Sequence, residues 1–191
     1  MKKMVSMVLF CLVVGVSYAQ TEPWRWSDKP GSLSITIGSP STYSLVESNN
    51  LAQLHQGLSY FGSYTINYDY NILRWLSVGA RGSYEGWQFK GNLLSDEGSA
   101  VYSFQNCHRA SVLLDVRFTY INREKVQLYS GVGLGISYLF KMVEGEKFNY
   151  MMVAGALIPI GIHVGAKNVY ALAELGLGTE ALLSIGIGFK L

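Results

Sequence analysis

Residues 182–191 read LLSIGIGFKL, a stretch in which large apolar residues alternate with glycine or polar residues. The same alternation occurs in LYSGVGLGISY at residues 128–138, in ALIPIGIHVG at residues 156–165 and in ALAELGLG at residues 171–178. A strict period of two residues predicts β-strands. One face of each strand is large and apolar while the other is nearly bare, so the apolar faces suit contact with lipid better than contact with a protein core.

The period of two residues continues through most of the chain and predicts eight strands. They cover residues 32–38, 58–70, 76–87, 110–120, 126–138, 152–164, 169–177 and 181–191. An even number of antiparallel strands can close into a barrel that has no free edge. The predicted connections alternate between long and short, although the outer connection at residues 178–180 is a very short surface turn. The predicted fold is all-β: an eight-stranded antiparallel up-and-down transmembrane β-barrel over residues 31–191.

Two other folds account less well for the same residues. A soluble lipocalin-like barrel needs a charged exterior, whereas only 15% of the residues are charged. A transmembrane helix over residues 151–166 would contain Pro159, His163 and several glycines, which favour a strand there.

The N-terminus has the pattern of a secretory signal peptide. Two lysines precede an apolar run at residues 4–16, and Ser-Tyr-Ala follows the run. This pattern predicts that residues 1–19 are a signal peptide and that residues 20–30 form a periplasmic N-terminal segment. Export together with lipid-facing strands predicts that the mature protein is located in the cell outer membrane.

Removal of the signal peptide makes the mature protein neutral. The whole chain has 15 basic and 13 acidic residues, and the loss of Lys2 and Lys3 leaves 13 of each. A neutral chain gives no indication of a nucleic-acid partner. Export also removes one of the two cysteines and leaves Cys107, which excludes an internal disulfide and a metal site built on cysteine pairs.

Aromatic residues on the apolar faces cluster near the strand ends. Tyr60, Tyr84 and Tyr138 are predicted near the outer ends, whereas Tyr64 falls in mid-strand. A second group is predicted near the periplasmic ends and consists of Tyr68, Tyr70, Phe118, Tyr120 and Phe189. Two such girdles are typical of membrane barrels, in which the rings lie at the level of the lipid headgroups.

These strands resemble those of small outer-membrane β-barrel proteins of Gram-negative bacteria, broadly the transmembrane domain of outer membrane protein A. The resemblance covers residues 31–191 and rests on the order of the strands, on YSGVGLGISY and PIGIHVG, and on Phe189 near the end of the last strand. It implies that outer-membrane lipid, lipopolysaccharide and the barrel-assembly machinery are partners. Family members typically end in an aromatic residue that this machinery reads, whereas here Lys190 and Leu191 follow Phe189.

The inward faces predict a lumen that is filled by side chains, because an eight-stranded barrel is barely wide enough for them. The last four strands place mostly glycine inside, so larger residues such as Phe61 and Trp87 are expected to fill the space from the opposite wall. Pro159 is also in the inward phase and predicts a bulge, since proline cannot donate to the ladder. Six inward charges are expected to form a paired structural network: Arg81, Arg117 and Lys190 with Glu85, Asp115 and Glu174.

This barrel predicts a structural, envelope-anchoring or surface-interaction role, in which the outer loops contact an extracellular ligand. Apolar residues occur within polar surroundings in the predicted loops, at residues 43–46, 93–96 and 140–143. Transport or binding of a small solute or lipid inside the barrel is the alternative.

A lipid-modifying enzyme is a weaker reading of the same barrel. His163, Glu174 and Ser184 lie on inward faces, but a catalytic triad demands a geometry that no sequence motif indicates here. We therefore predict no catalytic residues, no cofactor and no metal.

Overall fold

The computed structural model of the protein describes residues 30–46, 57–94, 100–123, 125–143, 146–165 and 168–191. The predicted signal peptide and the predicted periplasmic segment lie outside the described residues, apart from Pro30. Across the described part of the chain, no helix has the length and apolar character needed to cross a membrane.

Eight antiparallel strands form one closed barrel in which each strand pairs with its neighbours in sequence and β1 pairs with β8. The strands are β1 (Gly31–Gly38), β2 (Gly57–Asn71), β3 (Leu76–Leu94), β4 (Ala100–Asn122), β5 (Val126–Val143), β6 (Glu146–Gly165), β7 (Val169–Gly178) and β8 (Leu183–Lys190). The predicted fold is therefore confirmed. We call the end that carries the β1–β2, β3–β4, β5–β6 and β7–β8 connections the outer end, and the other end the periplasmic end.

The barrel is apolar outside and polar inside, the reverse of a soluble protein. Leu114 and Val153 point outward and are 73% and 83% exposed. Residues of the opposite phase, such as Thr36, Asn67 and Ser137, are buried in the interior. This alternation follows from the pleat, because successive side chains of a strand point to opposite faces. An exterior of this kind is stable in contact with hydrocarbon.

The strands differ greatly in length, and the long ones lie side by side. Strands β3 to β6 have 18 to 23 residues, whereas β1, β7 and β8 have 8 to 10. Pairing between β3 and β4 continues to Leu94 and Ala100, and pairing between β5 and β6 continues to Val143 and Glu146. The loops predicted at 88–109 and 139–151 are thus mostly strand. The prediction was wrong because ladder hydrogen bonds need no apolar face, and the apolar period fades beyond the lipid belt.

A β-bulge near the outer end of β2 reverses the phase of two aromatic residues. The register of β2 on β3 shifts between Tyr60 and Gly62, and Gly62 has a φ of 113°. As a result Phe61 is 54% exposed on the exterior, whereas Tyr60 is half-buried and donates to the carbonyl oxygen of Ser39 at 3.0 Å. The predicted inward position of Phe61 and outward position of Tyr60 are both wrong. Tyr64 lies in the outer girdle instead, opposite Tyr84.

A second bulge lies at the predicted position in β6. The register of β6 on β7 shifts between Leu157 and Ile160, which confirms the bulge predicted at Pro159. The extra residue also inverts the phase of the outer half of β6. Ala154 and Ile158 are buried, while Pro159 is exposed, so the predicted inward position of Pro159 is wrong.

Candidate functional site

Arg81 lies at the centre of a buried ion-pair cluster in the lumen. Its Nε donates to Asp115 Oδ2 at 2.7 Å, and its Nη1 lies 3.4 Å from Glu174 Oε2. The same Nη1 is 3.2 Å from Glu180 Oε2. All four side chains are at most 5% exposed, so one guanidinium contacts three carboxylates in a region that is largely closed to water.

Glu174 links this cluster to a second arginine. Arg117 Nη1 donates to Asp69 Oδ2 at 2.6 Å, and its Nη2 lies 3.6 Å from Glu174 Oε1. Tyr129 donates its hydroxyl to Glu174 Oε1 at 2.5 Å, and the Arg117 guanidinium lies 5.1 Å from the centre of the Tyr129 ring. These contacts hold both arginines and their carboxylates in one continuous network across the lumen.

A separate cluster lies at the outer mouth. Arg109 forms a buried ion pair with Glu85 and donates to the carbonyl oxygen of Thr179 at 2.9 Å. Glu85 accepts from the backbone N–H of Ser41 at 2.8 Å and from the Ser44 hydroxyl at 2.8 Å. Part of the segment that follows β1 therefore turns into the barrel mouth, where Ser41 and Ser44 are buried.

This arrangement changes the interpretation of two predicted surface segments. Ser44 is buried within the predicted contact segment 43–46, and Tyr43 lies under the Arg109 guanidinium at 4.9 Å, whereas Val46 is exposed. The turn at 178–180 was predicted at the surface, but Glu180 is buried because Arg81 attracts its carboxylate into the lumen.

The periplasmic end of the lumen is held by aromatic rings. His163 Nδ1 is hydrogen-bonded to Gln127 Oε1 at 2.9 Å. The imidazole packs between Tyr129 and Tyr170, with ring centres 4.6 and 4.5 Å away. Lys190 is buried on β8, opposite Ser32 of β1.

Of the six charges predicted to form a network, the structure brings four together, namely Arg81, Asp115, Arg117 and Glu174. Glu85 belongs to the outer cluster, and Lys190 lies on β8 at the periplasmic end. Sequence reasoning missed Asp69, Arg109 and Glu180. Asp69 carried a signal, because it lies in the inward phase of its strand. Arg109 and Glu180 carried none, because both fell in predicted connections.

The residues considered for catalysis are engaged in other contacts. His163 is hydrogen-bonded to Gln127, while Glu174 binds Tyr129 and Arg81. Within the described ranges, no group of three His, Cys, Asp or Glu residues could hold a metal ion. Cys107 is fully buried and packs with Trp87 and Leu139.

A closed barrel with an apolar exterior and buried ion pairs inside is an eight-stranded transmembrane β-barrel of the outer-membrane class. Its outer girdle contains Tyr64, Tyr84 and Tyr138, and exposed aromatic residues at the periplasmic end include Tyr70 and Phe189. The exterior and the girdles agree with the predicted location in the outer membrane.

Solved structures share this fold. The chain is similar to the N-terminal β-barrel domain of Pseudomonas aeruginosa OprF, with a TM-score of 0.50 and 14% identity over 85% of this chain and 98% of that chain. Neisserial surface protein A (NspA) gives a TM-score of 0.51 and 11% identity over 84% of this chain and 97% of that chain. Ail, the attachment invasion locus protein of Yersinia pestis, gives a TM-score of 0.40 and 15% identity over 84% of this chain and 95% of that chain. This likeness is too distant to support an argument.

Identities this low show a likeness of fold alone. No protein-family model matches the sequence, and the comparison with curated proteins finds no match either.

Proposed function

We propose that this protein is an outer-membrane barrel whose lumen is closed and whose function is a surface interaction made by strands that project from the outer end. The observation that carries the proposal is the unequal height of the wall. We define the projecting sheet as the parts of β2 to β6 that lie beyond the row formed by Tyr64, Tyr84, Ala110, Tyr138 and Met151. Strands β7, β8 and β1 do not extend with it.

The lumen supports this proposal because its buried arginines already contact carboxylates. A solute or ion path through the barrel would have to separate Arg81 from Asp115 and open the cluster around Glu85. Removing one partner of a buried ion pair costs about 3–5 kcal/mol. The described side chains therefore favour a structural plug over transport, and we assign the protein no reaction.

The projecting sheet has an open edge along β6. Strand β7 pairs with β6 only as far as Ala156, and the backbone N–H of Thr179 donates to Gly155 O at 3.0 Å. At residues 146–154 no described strand pairs with β6 on that side. Unpaired ladder groups on an edge strand can bind an extended segment of another protein.

Apolar side chains accompany this edge. Phe148 and Tyr150 point to one face of the sheet and are 45% and 48% exposed, and Met151 points to the other and is 71% exposed. Exposed apolar groups beside an open ladder are typical of an interaction site. We infer that the partner is an extended protein segment that lies along β6.

Shortening the β5–β6 hairpin tests this function. Phe140 and Asn149 are paired, so residues 141–148 can be replaced by Asn-Gly, a dipeptide that closes two-residue hairpins. Bacteria that display the wild-type barrel, the shortened barrel or a Lys125→Ala control would be compared for binding to a panel of immobilised host and envelope proteins. We expect the wild type and the control to bind a member of the panel and the shortened barrel to lose that binding. Equal binding by the shortened barrel, or no binding by the wild type, contradicts the proposal.

A further inference from the structure

The outward face of the barrel changes character just above the outer girdle. One continuous row across the strands marks the upper limit of the apolar belt and consists of Tyr64, Tyr84, Ala110, Tyr138 and Met151. The next outward row contains His108, Phe140 and Asn149, and the one above it contains Gln88, Asn106, Met142 and Lys147. Amide, imidazole and ammonium groups thus replace aliphatic ones within two rows.

The height of these rows corresponds to the lipid headgroups. Successive outward rows are separated by two residues, or about 7 Å along a strand. The polar regions add roughly 5–8 Å to each side of a hydrocarbon core about 30 Å thick. Since the girdle marks the edge of the hydrocarbon, the first polar row lies at headgroup level and the second reaches just beyond it.

The polar groups converge on one depression of about 350 Å³. Its lining includes Asn106, Phe140, Lys147 and Asn149, which come from three adjacent strands. At its side, His108 Nδ1 is hydrogen-bonded to the Tyr84 hydroxyl at 2.8 Å, and the two rings stack. We call the five residues Asn106, His108, Phe140, Lys147 and Asn149 the headgroup patch.

The charge of this face favours an anion. Lys147 contributes an ammonium group, and the amides of Asn106 and Asn149 contribute donors and acceptors. Among the described side chains of the outward face, no carboxylate lies in these two rows. Glu85, on the nearby part of β3, points into the lumen and pairs with Arg109 there. The Phe140 ring is 45% exposed and presents a flat apolar surface beside the polar groups.

We propose that the headgroup patch binds the phosphorylated saccharide of a glycolipid in the outer leaflet. Lys147 contacts a phosphate, Asn106 and Asn149 hydrogen-bond sugar hydroxyls, and Phe140 packs against a sugar ring. His108, whose Nδ1 is bound to Tyr84, lies opposite Phe140 at the side of the depression. The patch faces outward and is continuous with the lipid-facing belt, so a lipid whose chains lie against the barrel has its headgroup beside the patch. This site rests on the proposed membrane location but not on the proposed protein partner.

Lipid titration of the purified full-length barrel tests the site. The barrel, folded in detergent micelles, is titrated with bis-phosphorylated lipid A, with dephosphorylated lipid A or with phosphatidylglycerol, and bound lipid is counted by native mass spectrometry. The variants are Lys147→Ala with Asn149→Ala, Lys147→Arg, and Lys125→Ala as a control that removes an exposed lysine from the periplasmic end. An unboiled gel shows that each variant retains the compact barrel.

The expected result is selective binding of phosphorylated lipid A that the double variant weakens roughly ten- to hundredfold, the effect of losing a charge-assisted hydrogen bond and a neutral one. Lys147→Arg and Lys125→Ala should bind like the wild type. The site is overturned if the double variant binds equally well, or if phosphatidylglycerol or dephosphorylated lipid A competes equally. A wild-type chain that never forms a compact barrel would refute the membrane location instead.

Discussion

Replacing Arg81 by methionine should destabilise the barrel by about 3–5 kcal/mol. The substitution keeps much of the volume of the side chain but leaves Asp115 and Glu180 without the guanidinium that lies within 3.2 Å of each. Glu174 is less affected, because Arg117 and Tyr129 still contact it. The expected loss of unfolding free energy is the cost of removing one partner from a buried ion pair.

Urea unfolding of the barrel in lipid vesicles, followed by the unboiled gel band and by tryptophan fluorescence, measures this loss. With a slope of about 2 kcal/mol per M, the midpoint should fall by about 2 M. Lys125→Ala is the control, because Lys125 is exposed in a periplasmic turn and its loss should leave the free energy of unfolding within about 0.5 kcal/mol of the wild type.

A double variant separates the electrostatic cause from a packing defect. Adding Glu180→Gln to Arg81→Met removes one of the uncompensated charges, so it should recover about 1–2 kcal/mol, within the usual range of coupling energies. On its own, Glu180→Gln should change the free energy of unfolding little, since Asp115 and Glu174 still contact Arg81. The reasoning is refuted if Arg81→Met unfolds like the wild type or if the double variant is less stable than the single one.

Three further predictions concern the wall and the N-terminus. Gly62→Ala should lower the unfolding free energy by about 1–3 kcal/mol, because Gly62 has a φ of 113° and a new Cβ would lie 3.2 Å from the Tyr64 ring. Gly82→Ala is the control and should lower it less, because its new Cβ comes no closer than 3.5 Å to another side chain. Equal urea midpoints for the two variants would contradict this prediction. Gly161→Ala places a methyl group in the space of the Tyr129 ring, so it should reduce the yield of compact barrel on unboiled gels, and adding Tyr129→Leu should restore it. N-terminal sequencing of the mature protein from the outer-membrane fraction should find Gln20 as its first residue. A mature chain that begins at Met1 would refute the predicted signal peptide.

The sequence predicted the strands wherever the two-residue period ran without interruption. In β5, β7 and β8 the predicted faces agree with the structure, with Leu134 and Ile185 outside and Tyr129 and Glu174 inside. The period failed at the bulges, because one additional residue inverts every side chain beyond it. Phe61 and Pro159 are on the wrong face in the prediction for this reason.

The charge network could be predicted only in part. Arg81, Asp115, Arg117 and Glu174 lie on regular strands, so their inward phase was visible in the sequence. Arg109 lies where β4 continues past its apolar stripe, and no local pattern marks that continuation. Glu180 enters the lumen because of a tertiary attraction to Arg81, which depends on residues 99 positions apart in the chain.

The uneven wall also gives the molecule a direction within the membrane plane. On the side of β7, β8 and β1 the rim is low, and on the opposite side the five strands β2 to β6 rise above it. A binding partner can reach the open edge of β6 by moving sideways across the low rim, parallel to the bilayer, whereas approach from the opposite side meets the tall strands first. Neighbouring barrels that crowd against the low side would therefore compete for access, so occupancy of the edge should depend on how densely the surrounding membrane is packed with protein.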